Sequence, residues 1–334
     1  MSRQRLSGGA RRLTVVIPAC ETTGLEDTLV SVLEHRPDGC EVVVALSTPY
    51  DDPWNIRDEV SFVDVAPAGG LVGCVNAGVA VAAGDVVHVL AAGWRATPGW
   101  ADAAMRHFAR SSVAAVVPLA VSDDADHRPI AAGVRRTSGG RCATVVPRPT
   151  AHGLAVDPLP SAPLLEAGFW AADIVREVGF AAACGDALAA ADMAAALTAA
   201  RADIVLEPES RVVSGPQRGR RSSFQEGRSA ERLFWRSLAC ERPAAALVAH
   251  AGEVVRHAVA TAPLGTLGML AGRLAALLEF GASFSRTRQL TTLMRLAAER
   301  DTDGEALDTV RIDGPHDAPK PHLTRPVREL RRSA

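Results

Sequence analysis

The sequence predicts an α/β fold built on a mainly parallel central sheet, and three observations predict it. Short β-rich runs alternate with runs of helical periodicity over the first half of the chain. Several of those β-rich runs are wholly or almost wholly apolar, as expected of strands covered on both faces. Apolar residues make up 48% of the 334 residues, enough for a sizeable core in one or two domains.

The run Leu13-Thr14-Val15-Val16-Ile17-Pro18 reads as a buried strand. Residues 25–35 carry Leu25, Leu29, Val32 and Leu33 at helical spacing. A second strand follows at 41–46 and a short third one at 60–65. Residues 71–83 read as a helix ended by Gly84, and Val86-Val87-His88-Val89-Leu90 as a further strand. Pro98 is placed for the first turn of a helix over 98–110. Residues 113–121 are strand-like, and the polar turn 122–128 suggests a hairpin. The Pro-rich stretch 147–163 reads as a loop, 174–178 and 188–201 as helices, and 204–207 as a late strand. In such sheets ligands bind beyond the carboxyl ends of the strands, so chemistry is expected just after Ile17, Ala45 and Leu90.

The expected organisation is a disordered arm over 1–12, the α/β domain over 13–213 and an Arg-, Gly- and Ser-rich loop over 214–229. A helical extension over 230–298 and a disordered polar tail over 299–334 follow. Within the extension, the apolar helix over 267–280 is expected to bury itself against the first domain rather than lie on a membrane. His88, among apolar neighbours, reads as a core histidine, and Trp94 and Trp100 as space-fillers.

The net charge of −2 argues against a nucleic-acid binder. The six cysteines contain no C-x-x-C pair, so neither a zinc site nor a disulfide framework is expected. The polar, basic start has no apolar core of a signal peptide, and 258–280 is interrupted by Pro263, glycines, Arg273 and Glu279. A cytoplasmic location, including a peripheral one at the inner face of a membrane, is the expectation.

In order and spacing, these runs resemble the family 2 glycosyltransferases, which have the GT-A fold. The stretch Val15-Val16-Ile17-Pro18-Ala19-Cys20-Glu21 is similar to the family's V-I-P-T-Y-N-E. Gly69-Gly70-Leu71-Val72-Gly73-Cys74-Val75-Asn76-Ala77-Gly78 is similar to G-G-L-S-A-A-R-N-A-G, and 84–90 to the strand leading into the family's D-x-D. Gly168-Phe169-Trp170, Val178-Gly179-Phe180 and Leu206-Glu207-Pro208 continue the match, which covers roughly 60% of the chain. The resemblance implies a nucleotide-sugar donor, with Pro18, Glu21, Asp51, Asn76 and Gly78 on the donor side.

The same alignment finds the family's chemical positions replaced. Leu46 and Ser47 stand where two aspartates would hold the nucleotide, and Val75 stands where an arginine often reaches the donor. Ala91-Ala92-Gly93 fills the D-x-D slot, where carboxylates would hold the divalent ion that neutralises the leaving diphosphate. The general-base pair falls on Ala189 and Ala190, leaving Asp186 and Asp192 as the nearest acids. A literal D-x-D at Asp124 and Asp126 lies in a solvated turn. No cofactor is therefore expected, although the family usually takes Mg or Mn.

Two readings follow. One is a fold that has lost or strongly altered catalysis and binds a nucleotide-sugar, a glycan or a protein partner such as another glycosyltransferase or a cell-envelope assembly protein. The other is an active, metal-independent transferase whose diphosphate is clamped by Arg220 and Arg221 of the cluster Arg211, Arg218, Arg220, Arg221, Arg228, Arg232 and Arg236. The arginines read more readily as a solvated loop.

Overall fold

The computed structural model describes residues 11–150, 153–215, 222–279 and 283–309. Its first half alternates β1 (Leu13–Ala19), α1 (Leu25–His35), β2 (Glu41–Leu46), β3 (Ser61–Asp64), α2 (Gly70–Val81) and β4 (Val86–Leu90). Then come β5 (Arg95–Ala96), α3 (Trp100–Met105), extended by a 3-10 turn over Arg106–Ala109, β6 (Val113–Val121) and β7 (Pro129–Ala131). Two pairs of short strands follow: β8 (Val134–Arg136) with β9 (Cys142–Thr144), and β10 (Arg148–Thr150) with β11 (Gly153–Ala155); β12 (Ala167–Ala171) then returns to the main sheet. The domain closes with α4 (Ala172–Val178), α5 (Ala189–Ala199) and β13 (Asp203–Val213). The helices α6 (Ser223–Ser237), α7 (Pro243–Thr261), α8 (Thr266–Leu278) and α9 (Ser283–Thr309) complete the described chain.

The central sheet has nine strands in the order β3-β2-β1-β4-β12-β6-β13-β5, with β7 beside β6. β1 pairs in parallel with β2 and β4, β2 with β3, and β6 with β13. β12 is inserted antiparallel between β4 and β6. Strands β1, β4, β6 and β12 are buried at every residue, which explains sequences that are apolar apart from Thr14 and His88. His88 lies at the centre of β4, wholly buried and stacked on Phe169 with ring centroids 3.8 Å apart. Burial pushes its imidazole down to about 3, against a weaker upward effect from its contact with the Gly168 carbonyl.

Four boundaries differ from the sequence expectation. The Pro-rich stretch contains the β10–β11 ribbon, where Pro149 needs no second partner because the ribbon has only two strands. The Arg-rich loop ends early, because the Ser222 hydroxyl accepts from the Gln225 N–H and starts α6. The polar tail starts late, since α9 runs to Thr309 through helix formers such as Glu305, Ala306 and Leu307. Finally, α8 packs mainly on α6 and not on the sheet. Cβ atoms on Gly227 or Gly272 would overlap the backbones of Met269 and Phe224, so these two glycines let the helices cross at backbone distance.

The alanine-rich character of α5 also has a packing cause. Every residue of this helix except Thr198 is buried, and small side chains let α6 and α9 close on it. No helix among the described residues is long and apolar enough to cross a membrane.

Candidate functional site

The carboxyl edge of the parallel strands is where the fold directs ligands. At the end of β4 the chain turns through Ala91-Ala92-Gly93-Trp94. The Ala92 N–H donates to the Pro18 carbonyl at 3.1 Å, and the Gly93 N–H donates to the Gly24 carbonyl at 3.1 Å and the Thr28 hydroxyl at 2.9 Å. A Cβ on Gly24 would stand 2.8 Å from the Gly93 Cα. A Cβ on Gly215 would stand 2.9 Å from the Gly93 carbonyl carbon and 2.7 Å from the Trp94 ring. The turn is thus covered by main chain from two directions. Gly93 itself has φ +88°, a conformation that disfavours any side chain.

The ends of β1 and β2 are likewise occupied. Leu46 is buried, the Ser47 N–H donates to the Ala19 carbonyl at 3.1 Å, and the Ser47 and Thr48 hydroxyls donate to the Cys20 carbonyl at 3.3 and 2.7 Å. Cys74 of α2 meets Cys20 and Ser47 here, and the Cys20 thiol together with burial pushes its own thiol far up. The residues at 46, 47 and 74 therefore fill space with one another.

Several expected donor-side residues prove to be structural. Gly78 is buried beneath α2, where a Cβ would overlap Val16 of β1. Asn76 spends its amide on Phe180, donating to its carbonyl and accepting from its N–H, both at 2.9 Å. Pro18 is a buried strand residue, and Val75 is buried in the core. Glu21 and Asp51 are exposed near the same edge of the sheet. Arg220 and Arg221, with Arg218, lie outside the described residues.

The candidate base Asp192 is also a structural residue. It is 1% exposed, with Arg236 Nε on Oδ1 at 2.8 Å and Arg286 Nη2 facing Oδ2 at 2.6 Å without hydrogen-bond alignment. Both oxygens are committed to cations that tie α5 to α6 and α9, so no external hydroxyl reaches them. Ala189 and Ala190 are buried beside it. Three arginines of the cluster are held in ion pairs: Arg228 and Arg232 with Glu279, and Arg236 with Asp192. Asp124 pairs with Arg128 within the β6–β7 turn.

Asp186, the other candidate base, lines a cavity. Its Oδ1 accepts from the Val72 N–H at 3.1 Å, in the first turn of α2, where a helix favours negative charge. The cavity, about 420 Å³, lies between this edge of the α/β domain and the helical extension. Glu166, whose carbonyl accepts from the Ala91 N–H at 2.8 Å, lines it from the domain side. Glu226, Glu253, Arg256, His257 and Arg273 line it from α6, α7 and α8. The turn Gly139–Cys142 closes a further wall.

A buried polar network fixes the far wall. Glu231 accepts from Arg273 Nη1 at 2.7 Å and from the Trp235 indole at 2.8 Å, and lies 3.1 Å from His250 Nε2. His250 Nδ1 reaches the Gly139 carbonyl at 2.9 Å while its ring stacks on Phe234. Burial alone would raise the Glu231 carboxyl, but His250 and Arg273 outweigh it and hold the group below the ordinary carboxylate range. Burial and Arg273 push His257 down, so it is neutral near pH 7. The sequence reading missed Glu166, Glu226, His257 and Arg273 because they come from elements distant in sequence, and His257 and Arg273 sit in apolar helices that read as packing.

With this geometry in place, solved structures can be compared. GalNAc-T7, solved with UDP, GalNAc and Mn2+, matches 70% of this chain and 48% of its own at a TM-score of 0.50 and 14% identity. The mannosyltransferase PcManGT from Pyrobaculum calidifontis, in complex with GDP-Man and Mn2+, matches 87% of this chain and 88% of its own at a TM-score of 0.48 and 16% identity. The chain thus spans about half the length of the first of these. No family model and no curated protein sequence matches it. The architecture is the GT-A fold of glycosyltransferases.

The residues at the end of β4 do not suit a divalent ion. Ala91, Ala92 and Gly93 offer no side-chain oxygen, and no group of three or more His, Cys, Asp or Glu among the described residues is arranged to hold a metal.

Proposed function

We propose that this chain is a divergent relative of the family 2 glycosyltransferases that keeps the GT-A fold as a binding module and has lost metal-dependent sugar transfer. The observation that carries this reading is the double coverage of Gly93 by Gly24 and Gly215. Main chain approaches this turn closely at Gly24 and Gly215, and Ala91, Ala92 and Gly93 carry no side-chain oxygen to hold a cation. Losing cation and base together removes effects each worth on the order of 10²–10³ in rate or more. The cavity between Glu166, Asp186 and the helices α6–α8 is the binding site in this reading. Its walls mix carboxylates, guanidinium groups and a neutral imidazole, donors and acceptors of the kind that a polyhydroxylated ligand such as a sugar or glycan engages.

A second reading is favoured by one contact. Gly215 lies against Gly93 and Trp94, and Arg218, Arg220 and Arg221 follow it in sequence. In that reading these arginines clamp a donor diphosphate in place of a metal, and Asp186 accepts the acceptor's proton.

Thermal unfolding of the full chain separates the two. UDP-, GDP- and dTDP-sugars, with and without manganese, are compared with nucleotide-free oligosaccharides. Stabilisation by an oligosaccharide alone, lost in Asp186→Asn, supports the binding module. Manganese-dependent stabilisation by a nucleotide-sugar overturns it. A manganese-independent shift, abolished by Arg220→Ala with Arg221→Ala, supports the second reading instead.

A further inference from the structure

The cavity wall formed by α6, α7 and α8 holds a donor and an acceptor that face each other without bonding. His257 of α7 and Glu226 of α6 both line the cavity, with Nε2 of the imidazole 3.9 Å from Oε2 of the carboxylate. That separation is too long for a hydrogen bond. Among the described residues, neither Nε2 nor the carboxylate has another hydrogen-bond partner.

The state of the imidazole follows from Arg273. Its Nη2 lies 3.2 Å from His257 Nδ1. A guanidinium carries only donors, so Nδ1 must accept, and the one ring proton of the neutral imidazole sits on Nε2. The guanidinium is itself held from two further sides. Nη1 donates to Glu231 Oε2 at 2.7 Å, and Nε donates to the Met269 sulfur at 3.2 Å. Burial and Arg273 together outweigh the upward pull of Glu226 on the imidazole and keep it neutral. Nε2–H is therefore a fixed donor on the Glu226 side of the ring. The other charges that α7 and α8 bring to this wall are paired, Arg256 with Glu253 at 2.6 Å and Arg273 with Glu231.

A group that bridges the gap must accept from Nε2–H and donate to the carboxylate at once. A hydroxyl does both with one oxygen. An ammonium has no lone pair with which to accept. A carboxylate has no proton to give and meets the like charge of Glu226. Water makes the same two bonds as a hydroxyl, so a ligand hydroxyl that displaces it keeps them both.

We infer that His257 and Glu226 form a hydroxyl-binding subsite of the cavity, one that selects a neutral hydroxylated ligand over an amine or an acid at this point, with Arg273 as the residue that positions the imidazole. The inference rests on the reading of the cavity as a ligand site. The cavity volume of about 420 Å³ falls in the range of roughly 300–1,000 Å³ usual for small-molecule sites.

Nitrogen NMR of the full chain with isotope-labelled histidine, at about pH 7, tests this. Protonated and bare imidazole nitrogens resonate in separate ranges, and His257→Gln identifies the His257 signals by their loss. The proton is expected on Nε2. D-glucose and glycerol are expected to shift that nitrogen, while methylammonium and acetate at the same concentrations leave it in place. Glu226→Ala is expected to keep the tautomer and to weaken the response to D-glucose about tenfold or more, as for the loss of a hydrogen bond to a charged group. Arg273→Met is expected to admit the Nδ1–H form; if that variant unfolds, the tautomer of the unaltered chain still decides. A proton on Nδ1 overturns the inference, as does a doubly protonated ring. So does a response to methylammonium or acetate instead of the hydroxyl compounds, a response to none of the four, or one that Glu226→Ala leaves intact. Failure of the cavity reading itself shows separately, as oligosaccharides that do not stabilise the chain.

Discussion

Gly24 and Gly93 meet at backbone distance, with the Gly93 N–H donating to the Gly24 carbonyl at 3.1 Å and a Cβ on Gly24 due 2.8 Å from the Gly93 Cα. The contact decides whether a D-x-D can be built at this turn. Ala91→Asp with Gly93→Asp rebuilds a D-x-D in sequence, but position 93 has φ +88° and a neighbour on each side. The double variant is expected to lose about 1–3 kcal/mol of stability, and manganese is expected not to restore it. Thermal unfolding with and without manganese reads both effects. Recovery of stability by the metal would show that the slot still has room for it.

How much of this the sequence discloses depends on how locally each feature is encoded. Strands β2, β4 and β6 and helix α1 fall at their expected residues because an unbroken apolar run, or apolar residues at helical spacing, is a local signal. That Ala91 and Gly93 carry no cation ligand is equally legible, since a side chain without oxygen, nitrogen or sulfur cannot bind a cation wherever it lies. What fills the vacated space is not legible. That Gly24 and Gly215 converge on Gly93, or that Asn76 serves Phe180, follows from contacts between residues far apart in sequence. The same holds for the cavity, whose walls come from α6, α7, α8 and two loops. Asp192 shows the limit most plainly: the family motif leaves it between a structural acid and a weak candidate base, while its partners Arg236 and Arg286 come from helices distant in sequence.

Those ion pairs yield a second prediction. Asp192 faces two arginines whose side chains are 11% and 3% exposed. Asp192→Asn leaves both cations buried without a counter-charge, which is costlier than losing the attraction itself. A loss of about 3–5 kcal/mol is expected in chemical denaturation, with α9 detaching from α5 first. Arg286→Met, which removes one buried charge from the cluster, is expected to cost less than Asp192→Asn. Equal losses for the two would argue against uncompensated charge as the cause.

His88 predicts an acid limb in stability. Its imidazole is pushed down to about 3 in the fold from an ordinary value of 6.5. As pH falls, the unfolded chain therefore takes the proton first. Stability is whole above about pH 6.5 and declines as the pH drops from there toward 3, at a limiting slope of about 1.4 kcal/mol per pH unit. His257, also held down by burial and Arg273, adds to the same window. Denaturant titrations between pH 7 and 5 are expected to show the decline, and His88→Phe to flatten it to the share of His257. An unchanged slope in that variant would place the acid sensitivity elsewhere.

The crossing of α6 and α8 supports the last prediction. Gly227 faces the Met269 backbone and Gly272 the Phe224 backbone, each too close for a Cβ. Alanine has the higher helix propensity, so an exposed Gly→Ala change in a helix would gain about 1 kcal/mol. Here overlap with backbone forces the helices apart, and overpacking of this kind costs about 1–3 kcal/mol. Gly272→Ala is therefore expected to destabilise despite its better propensity. Separation of α8 from α6 also strains the Arg273–Glu231 bond, which spans 2.7 Å between the same two helices. Gly268→Ala is the matched control: on the same helix, a Cβ there would meet its nearest neighbours at 3.7 Å, an ordinary contact. Chemical denaturation of the two variants should give opposite signs, and a stabilised Gly272→Ala would show that α8 is free to move away from α6.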